Sequence, residues 1–287
     1  MKVTVKAPAK INLYLDVVSK RVDGYHDIKS IMHTVSLADI VTVEKAPENI
    51  ITLTSNFPHV PTDDKNIAYK AAKVFFEKAN IKDGAKIHIE KHIPVSSGLA
   101  GGSTDAAATL KGLNQIYGEP FSKQQLLEIG ATLGADVPFC ILGGCAACEG
   151  LGDQMTTLPT LTAKYVMIVR GGEGISTPKA YSMIDQHFDA LVNCEHGDYN
   201  AALDAVWAND IGKLISSAYN IFEEVILPIH STAKRQKEIL YEYGADFCMM
   251  SGSGPAIFAI FKDYMTANTA ASAIRKFGAK AFICETI

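Results

Sequence analysis

A glycine-rich segment, Pro94-Val-Ser-Ser-Gly-Leu-Ala-Gly-Gly-Ser-Thr-Asp105, constrains this chain more than any other feature. It follows the alternating residues 85–93, which predict a strand, and precedes an alanine-rich stretch that favours a helix. Gly98, Gly101 and Gly102 are expected to adopt positive φ and to let the backbone approach a ligand closely. Loop amides and the unpaired amides of a first helical turn together predict a phosphate-binding site.

The segment differs from the best-known phosphate loops. A Walker A loop ends in Gly-Lys-Ser/Thr, whereas Ser103 follows Gly102 here. The G-x-G-x-x-G spacing of dinucleotide-binding folds and the His-Arg-Asp and Asp-Phe-Gly signatures of protein kinases are missing as well. The alternative to phosphate binding is a simple turn capped by Ser103, Thr104 or Asp105. Three glycines and four hydroxyl residues at the start of a long helix favour phosphate.

Charge and composition narrow the function further. The 287 residues are 48% hydrophobic with a net charge of −4, enough for a buried core and without a basic field for nucleic acid. The chain has no apolar run that could cross a bilayer, and its first residues lack the apolar region of a signal peptide. We therefore expect a cytoplasmic protein.

The pair Cys145-Ala-Ala-Cys148 has the spacing of metal ligands or redox cysteines. It follows a glycine turn and reads as a strand, where residues three apart face opposite sides. A zinc or redox role is therefore disfavoured, and buried thiols of a reducing compartment are expected.

The remaining pattern predicts an α+β fold with two lobes. Predicted strands cover residues 3–18 with a break at Pro8, 28–45, 50–54, 85–93, 164–170, two segments within 245–262, and 279–285. Predicted helices cover residues 67–79, the segment after Asp105, 122–133, most of 176–218 with interruptions at 193–199, 230–243 and 264–277. Residues 134–138 are expected to break a helix and 150–162 to form turns. We place the lobe boundary within 153–163, giving domains 1–157 and 158–287.

Three separated motifs resemble those of the GHMP kinases, the superfamily of galactokinase, homoserine kinase and mevalonate kinase. The motifs are Pro8-Ala-Lys-Ile-Asn-Leu13, the loop Pro94 to Thr104, and Ser251-Gly-Ser-Gly-Pro255. Two more segments, Arg21-Val-Asp-Gly-Tyr-His26 and Leu133-Gly-Ala-Asp-Val-Pro-Phe139, are similar to one branch of that superfamily. Members of this branch phosphorylate a cytidine-diphosphate-linked methylerythritol.

The resemblance implies a two-lobed GHMP kinase fold, with an N-terminal ribosomal-S5-like lobe, a C-terminal ferredoxin-like lobe and the active site between them. It also implies a reaction in which ATP gives its γ-phosphoryl group to the 2-hydroxyl of the methylerythritol unit. ATP is the expected co-substrate with Mg²⁺, and a small molecule is the expected partner. The residues predict no oligomeric state.

Residue roles follow from the same resemblance. Asp136 is the expected general base, with Lys10 beside it to favour the ionised carboxylate and to stabilise developing charge. The alternatives are a turn or cap for Asp136 and a solvated strand lysine for Lys10. The residues expected to bind ATP are Pro94, Val95, Ser96, Ser97, Gly98, Leu99, Ala100, Gly101, Gly102, Ser103, Thr104 and Asn66. Ser103 is also the candidate Mg²⁺ ligand, and the alternative for Ser103 and Asn66 is a helix cap.

The expected substrate contacts are Asn12, Tyr25, His26, Thr177 and Tyr181. Tyr25 and Tyr181 could hold a cytosine ring between them. The alternative for Tyr181 is packing in the core. Ser251-Gly-Ser-Gly-Pro255 is either a wall of the pocket or a tight hairpin turn.

Two other functions compete with this interpretation. A GHMP kinase for another small molecule, such as homoserine or mevalonate, is disfavoured by Tyr25 and His26. A non-catalytic ligand-binding module is disfavoured because Lys10 and Asp136 are both present. The chain departs from many relatives at Ser97, where glycine or alanine is common, and it lacks an evident acidic Mg²⁺ ligand near the loop.

Overall fold

The structure is a computed structural model and describes residues 1–191 and 196–287. The strands within these residues are β1 Lys2–Lys20, β2 His26–Ala46, β3 Ile51–Ser55, β4 Gly84–Glu90, β5 Cys145–Gly150, β6 Gln154–Leu158, β7 Val166–Arg170, β8 Phe247–Met250, β9 Ile257–Ile260 and β10 Lys280–Cys284. The helices are α1 Ile67–Ala79, α2 Gly101–Ile116, α3 Lys123–Ala131, α4 Val137–Leu142, α5 Thr177–Leu191, α6 Tyr199–Trp207, α7 Ile211–Ser217, α8 Phe222–Ile226, α9 Ser231–Glu242 and α10 Tyr264–Lys276.

The chain forms two compact units, each assembled from separate segments. The first contains Met1–Ala9, Ala38–Ile93 and Ala100–Gly143, and the second contains Lys10–Leu37, Pro94–Leu99 and Gly144–Ile287. The strands β1 and β2 therefore each contribute one part to either unit.

In the first unit, β4 pairs antiparallel with the later part of β2 and parallel with β3. The helices α1 to α4 bury their apolar faces with these strands in one core that includes Phe75, Leu110 and Val43. Asn66 caps α1, and Ser122 with Gln125 forms a capping box at the start of α3, so both helices begin where the sequence predicts.

In the second unit, the antiparallel sheet has the strand order β10-β7-β9-β8. A core that includes Met167, Ile257, Ile184 and Ile274 lies between this sheet and its helices. Separately, β5 pairs antiparallel with the earlier part of β2 and with β6.

The predicted α+β class is confirmed, and two local predictions are wrong. The strand β1 continues through Pro8, and β6 occupies part of the stretch expected to be turns. The predicted break at 134–138 does separate α3 from α4, and α4 already begins at Val137 because Pro138 lies in its first turn, where no backbone donor is needed. The short helix α8 was not predicted. Part of the predicted interruption at 193–199 lies outside the described residues.

Candidate active site

The first half of the glycine-rich loop, Pro94–Leu99, lies in the second unit. It contacts Ser251-Gly-Ser-Gly-Pro255, which we call the Ser251 motif. Gly98 has a φ of +80°, and a Cβ there would collide with the carbonyl oxygen of Ser251. Ser251 Oγ donates to the Gly98 carbonyl oxygen at 3.1 Å. Both the left-handed backbone and the close approach require glycine at this position.

Lys10 lies beside this half of the loop. Only 5% of its surface is exposed, so the alternative of a solvated strand lysine is wrong. Its backbone amide donates to the Leu99 carbonyl at 3.2 Å, and a Cβ at Gly252 would lie 3.3 Å from its Nζ. Lys10 therefore contacts the glycine-rich loop through its backbone and lies beside Gly252 through its ammonium, although Ser251 is 241 residues away in sequence.

A chain of buried hydrogen bonds fixes the direction of the Lys10 side chain. Lys10 Nζ donates to Asn12 Oδ1 at 2.8 Å, and Asn12 Nδ2 donates to Ser30 Oγ at 2.8 Å. Ser30 Oγ in turn donates to the Tyr14 carbonyl at 2.8 Å. Ser30 was not predicted, although its alternation with Ile28 on β2 is visible in the sequence.

A second group of predicted residues meets in the same unit. The His26 ring stacks on Tyr181 with centroids 4.9 Å apart, and His26 Nε2 hydrogen-bonds with Asp185 Oδ1 at 2.8 Å. Lys20 Nζ donates to the other oxygen of Asp185 at 2.8 Å. We call His26, Tyr181, Asp185 and Lys20 the α5 cluster, because Tyr181 and Asp185 are one helical turn apart on α5.

The hydrogen bonds of the α5 cluster favour the ionised form of Asp185. The hydrogen bond from Lys20 lowers the pKa of Asp185, and the hydrogen bond from His26 acts in the same direction. Tyr181 also packs edge-on against Phe222, with centroids 5.0 Å apart, so ring packing of Tyr181 accompanies its contact with His26. Asp185 was not predicted, since its only sequence signal is its spacing of four from Tyr181.

Tyr25 and Thr177 lie at the edges of this region. Tyr25 follows the turn after β1 and is 65% exposed. Thr177 begins α5, and its hydroxyl lies 3.2 Å from Ser253 Oγ. Asn220 Nδ2 donates to the Met250 and Gly252 carbonyls, so a side chain that sequence reasoning missed holds the Ser251 motif in shape.

The second half of the loop opens α2 in the first unit. Gly101 and Gly102 form the first turn of the helix, and the predicted positive φ at these two glycines is wrong. Ala100 precedes them with a φ of +55°, and α2 has no side-chain cap. The amides of this first turn are therefore not consumed by a capping side chain.

The hydroxyl residues of this turn have different surroundings. Capping by Ser103, Thr104 or Asp105 is wrong, because α2 begins before them. Thr104 is buried, and its hydroxyl donates to the Pro8 carbonyl at 2.8 Å. Ser103 is half-buried in the first turn.

Three buried ionisable side chains lie next to the start of α2. Lys91 Nζ donates to Asp105 Oδ2 at 2.8 Å and also pairs with Asp39 Oδ2. Asp39 Oδ1 accepts the backbone amides of His92 and Ile93 at 2.6 and 2.8 Å. We call Lys91, Asp39 and Asp105 the β4–α2 junction.

Burial dominates the electrostatics of the β4–α2 junction. The side chains of Lys91, Asp39 and Asp105 are 5%, 0% and 4% exposed. Desolvation raises the pKa of Asp105 to about 8, and Lys91 opposes that rise. Asp105 Oδ1 has no hydrogen-bond partner among the described residues. The only sequence signal for the junction is that Lys91 continues the alternation of buried Ile87 and Ile89, which places it on the same face.

Asp136 and Asn66 occupy helix starts in the first unit. Asp136 is half-buried at the N-cap of α4, but its side chain makes no capping hydrogen bond. Asn66 is a cap, since its Oδ1 accepts the Ala68 amide at 2.9 Å while its Nδ2 donates to the Pro61 carbonyl at 2.8 Å. The capping alternative therefore holds for Asn66.

The described residues contain no group of three histidine, cysteine, aspartate or glutamate side chains arranged to hold a metal ion. None of their helices is long and apolar enough to cross a membrane.

Comparison of the sequence with known proteins identifies its family and several relatives. The family models for the GHMP kinases N terminal domain and the GHMP kinases C terminal match residues 66–144 and 202–280. The chain is 44% identical over 283 residues to 4-diphosphocytidyl-2-C-methyl-D-erythritol kinase of Clostridium botulinum (strain Eklund 17B / Type B), covering 99% of both chains. It is 40% identical to the protein of the same name from Exiguobacterium sibiricum, covering 100% of this chain and 99% of that one.

Solved structures show the same likeness. A crystal structure of 4-(cytidine 5'-diphospho)-2C-methyl-D-erythritol kinase matches with a TM-score of 0.83 at 30% identity, covering 99% of both chains. Homoserine kinase from Cytophaga hutchinsonii matches with a TM-score of 0.75 at 19% identity over 100% of this chain and 94% of that one, which shows a shared fold.

Proposed function

The chain belongs to the 4-diphosphocytidyl-2-C-methyl-D-erythritol kinase family of GHMP kinases, and we propose how its residues divide the work of that reaction. The enzyme transfers the γ-phosphoryl group of ATP to the 2-hydroxyl of 4-diphosphocytidyl-2-C-methyl-D-erythritol, a step of non-mevalonate isoprenoid precursor biosynthesis. Identity of 44% over nearly the full length of a named relative is the observation that carries this assignment.

The proposed general base is Asp136. As the oxygen of the 2-hydroxyl forms its bond to the γ-phosphorus, the Asp136 carboxylate takes the hydroxyl proton. The bond from that phosphorus to the bridging oxygen breaks, and ADP leaves with the electron pair. This role is supported by the resemblance of Leu133-Gly-Ala-Asp-Val-Pro-Phe139 to the family motif and by the half-buried position of Asp136 at the start of α4.

Lys10 is proposed to stabilise negative charge on the transferred group. Its ammonium is held by Asn12 and lies beside Gly252. A buried, directed cation stabilises developing charge more strongly than a solvated one.

The loop is proposed to hold the ATP phosphates with its amides, and Asn66 to lie near the adenine. Support comes from the uncapped first turn of α2, because its unpaired amides and the helix dipole favour an anion. The donor chemistry of Ser103 fits Mg²⁺, since a hydroxyl oxygen is a ligand that this ion accepts alongside phosphate oxygens and water. When bound with ATP, Mg²⁺ would neutralise phosphate charge.

The cytidine substrate is proposed to contact Asn12, Tyr25, His26, Thr177 and Tyr181. Exposed Tyr25 and the stacked rings of His26 and Tyr181 offer flat surfaces to a base. Stacking of cytosine between Tyr25 and Tyr181 remains part of this proposal.

The domain boundary after residue 157, a cytoplasmic location and the lack of a nucleic-acid partner also remain proposals. The cysteines Cys145, Cys248 and Cys284 are buried and free, which supports a reducing compartment.

Coupled ADP release from the purified protein tests the function. With ATP and Mg²⁺, we expect turnover on 4-diphosphocytidyl-2-C-methyl-D-erythritol and none above background on homoserine or mevalonate. Comparable turnover on either of the other two alcohols would contradict the assignment.

A further inference from the structure

We infer that the β4–α2 junction of Lys91, Asp39 and Asp105 positions both ends of the phosphate loop for ATP, an inference that rests on the proposed function. These residues do not belong to the loop, and none of them is expected to touch the reacting atoms. Their role is to fix the groups that do.

Asp39 fixes the entry to the loop. Its Oδ1 accepts two consecutive backbone amides, those of His92 and Ile93, at 2.6 and 2.8 Å. Pro94, the first loop residue, follows directly. An aspartate that is 0% exposed and holds two backbone donors leaves this segment little freedom.

Lys91 connects that entry to the exit of the loop. Its ammonium pairs with Asp39 Oδ2 and donates at 2.8 Å to Asp105 Oδ2, in the second turn of α2. A Cβ at Gly101 would lie 3.2 Å from Lys91 Nζ and 3.3 Å from Ile93 Cγ2. The first residue of α2 thus rests directly on the ammonium and on the strand side of the loop.

Lys91 also controls the charge beneath the helix start. A buried carboxylate next to Lys91, that of Asp39, would weaken the attraction of the first turn of α2 for phosphate, since negative charge there opposes a second anion. The Lys91 ammonium, which pairs with Asp39, offsets this charge. Lys91 therefore both fixes the position of the phosphate site and reduces the negative electrostatic potential there.

A purely structural role makes a different prediction. Replacing a complete buried ion pair by apolar residues is often neutral or stabilising, whereas removing one partner strands a buried charge. The double variant Lys91→Met with Asp39→Asn removes the buried cation together with the carboxylate that pairs with it, and the amide oxygen at position 39 can still accept from His92 and Ile93. Burial, which raises the pKa of Asp105, disfavours the ionised form of the remaining carboxyl group. The variant should therefore fold and keep its thermal midpoint close to that of the wild type, and if Lys91 positions the loop it should still bind ATP poorly.

Steady-state kinetics with both substrates provide the test. For the double variant we expect KM for ATP to rise roughly tenfold or more, with KM for the cytidine substrate changed less than about twofold. Lys86→Met, at an exposed lysine of strand β4, five residues before Lys91, is the control and should change neither constant. Asp105→Asn keeps an oxygen that accepts from Lys91, so its KM for ATP should stay several-fold below that of Asp105→Leu.

Each outcome decides one question. Unchanged KM for ATP in the stable double variant would overturn the inference, as would parallel rises in both KM values. If the wild type shows no turnover, the proposed function fails, and titration calorimetry with ATP tests the junction by itself. A weaker ATP affinity in the double variant would then support the inference, and equal affinity would overturn it.

Discussion

The β4–α2 junction and the α5 cluster are both built from charged pairs, but they differ in burial and in sequence separation. The junction is fully enclosed, and Lys91 and Asp105 are 14 residues apart. In the α5 cluster, His26 and Asp185 are 159 residues apart, and the side chains of Lys20 and Asp185 are 49% and 29% exposed. The junction is suited to hold backbone in place, whereas the cluster keeps a polar edge that a ligand can contact.

The largest expected effect concerns neither region. Asp136→Asn should lower kcat by about 10²–10⁴-fold, because the amide cannot accept the hydroxyl proton. Both KM values should stay within a few-fold of the wild type, since the binding regions are intact. Stopped-time ADP assays give the three constants, and Asp64→Asn, an exposed carboxylate of the same unit, is the control. Near-normal kcat in Asp136→Asn would remove it as the base.

A pair of glycine variants tests the loop that follows the junction entry. Gly98 and Gly118 have φ of +80° and +77°, but only at Gly98 would a Cβ meet neighbouring backbone. Gly98→Ala should therefore lower the free energy of unfolding by about 1–3 kcal/mol more than Gly118→Ala. Urea unfolding of both variants measures this difference, and equal losses would show that the contact with Ser251 is not tight.

Tyr181→Ala tests whether the α5 cluster contacts the cytidine substrate. Loss of the ring should weaken binding of the cytidine substrate by about 1–3 kcal/mol, as expected for a base-stacking residue. KM for ATP should not change, which is the reverse of the pattern expected for Lys91. Tyr243→Ala, on the surface of the same unit, is the control. A rise in both KM values would show that Tyr181 supports the fold rather than the substrate.

The smallest expected effect is a pH dependence of stability that belongs to the junction. The pKa of Asp105 is raised from 3.8 to about 8, so the folded state binds more protons than the unfolded state between these values. This contribution is complete below the unfolded pKa and is lost as pH rises through the folded one. Lys91 and Asp39 are the charged groups that face Asp105.

From pH 7 to pH 8 the wild type should therefore lose about 1 kcal/mol of unfolding free energy relative to Asp105→Asn. Urea unfolding at the two pH values measures the change. Parallel stability profiles for the two proteins would contradict a raised pKa for Asp105.

The two regions also show what a sequence can predict. The strand, the loop and the helix around residues 85–116 were predictable because glycine content and hydrophobic periodicity are local signals. Even there, positive φ was predicted at Gly101 and Gly102 but is found at Ala100. The reason is that α2 begins at Gly101, before the hydroxyl residues that were expected to cap it. Capping by Asn66 and Ser122 was predictable for the same local reason.

Long-range partners were not predictable. Nothing near Tyr181 indicates that His26 stacks on it, and nothing near Asp39 indicates that it holds the amides of His92 and Ile93. The strand β6 was missed because its pairing with β5, not its own pattern, stabilises it. Such contacts depend on the fold that brings distant segments together.

As a member of its kinase family, this chain moves the γ-phosphoryl group of ATP onto one alcohol of its cytidine-linked substrate. Incubation with ATP carrying ¹⁸O in the γ-phosphoryl group, followed by mass spectrometry and ³¹P NMR of the product, tests it most directly. We expect the label in a phosphate ester at the 2-oxygen. Label recovered only as inorganic phosphate, or in an ester at another hydroxyl, would contradict the account.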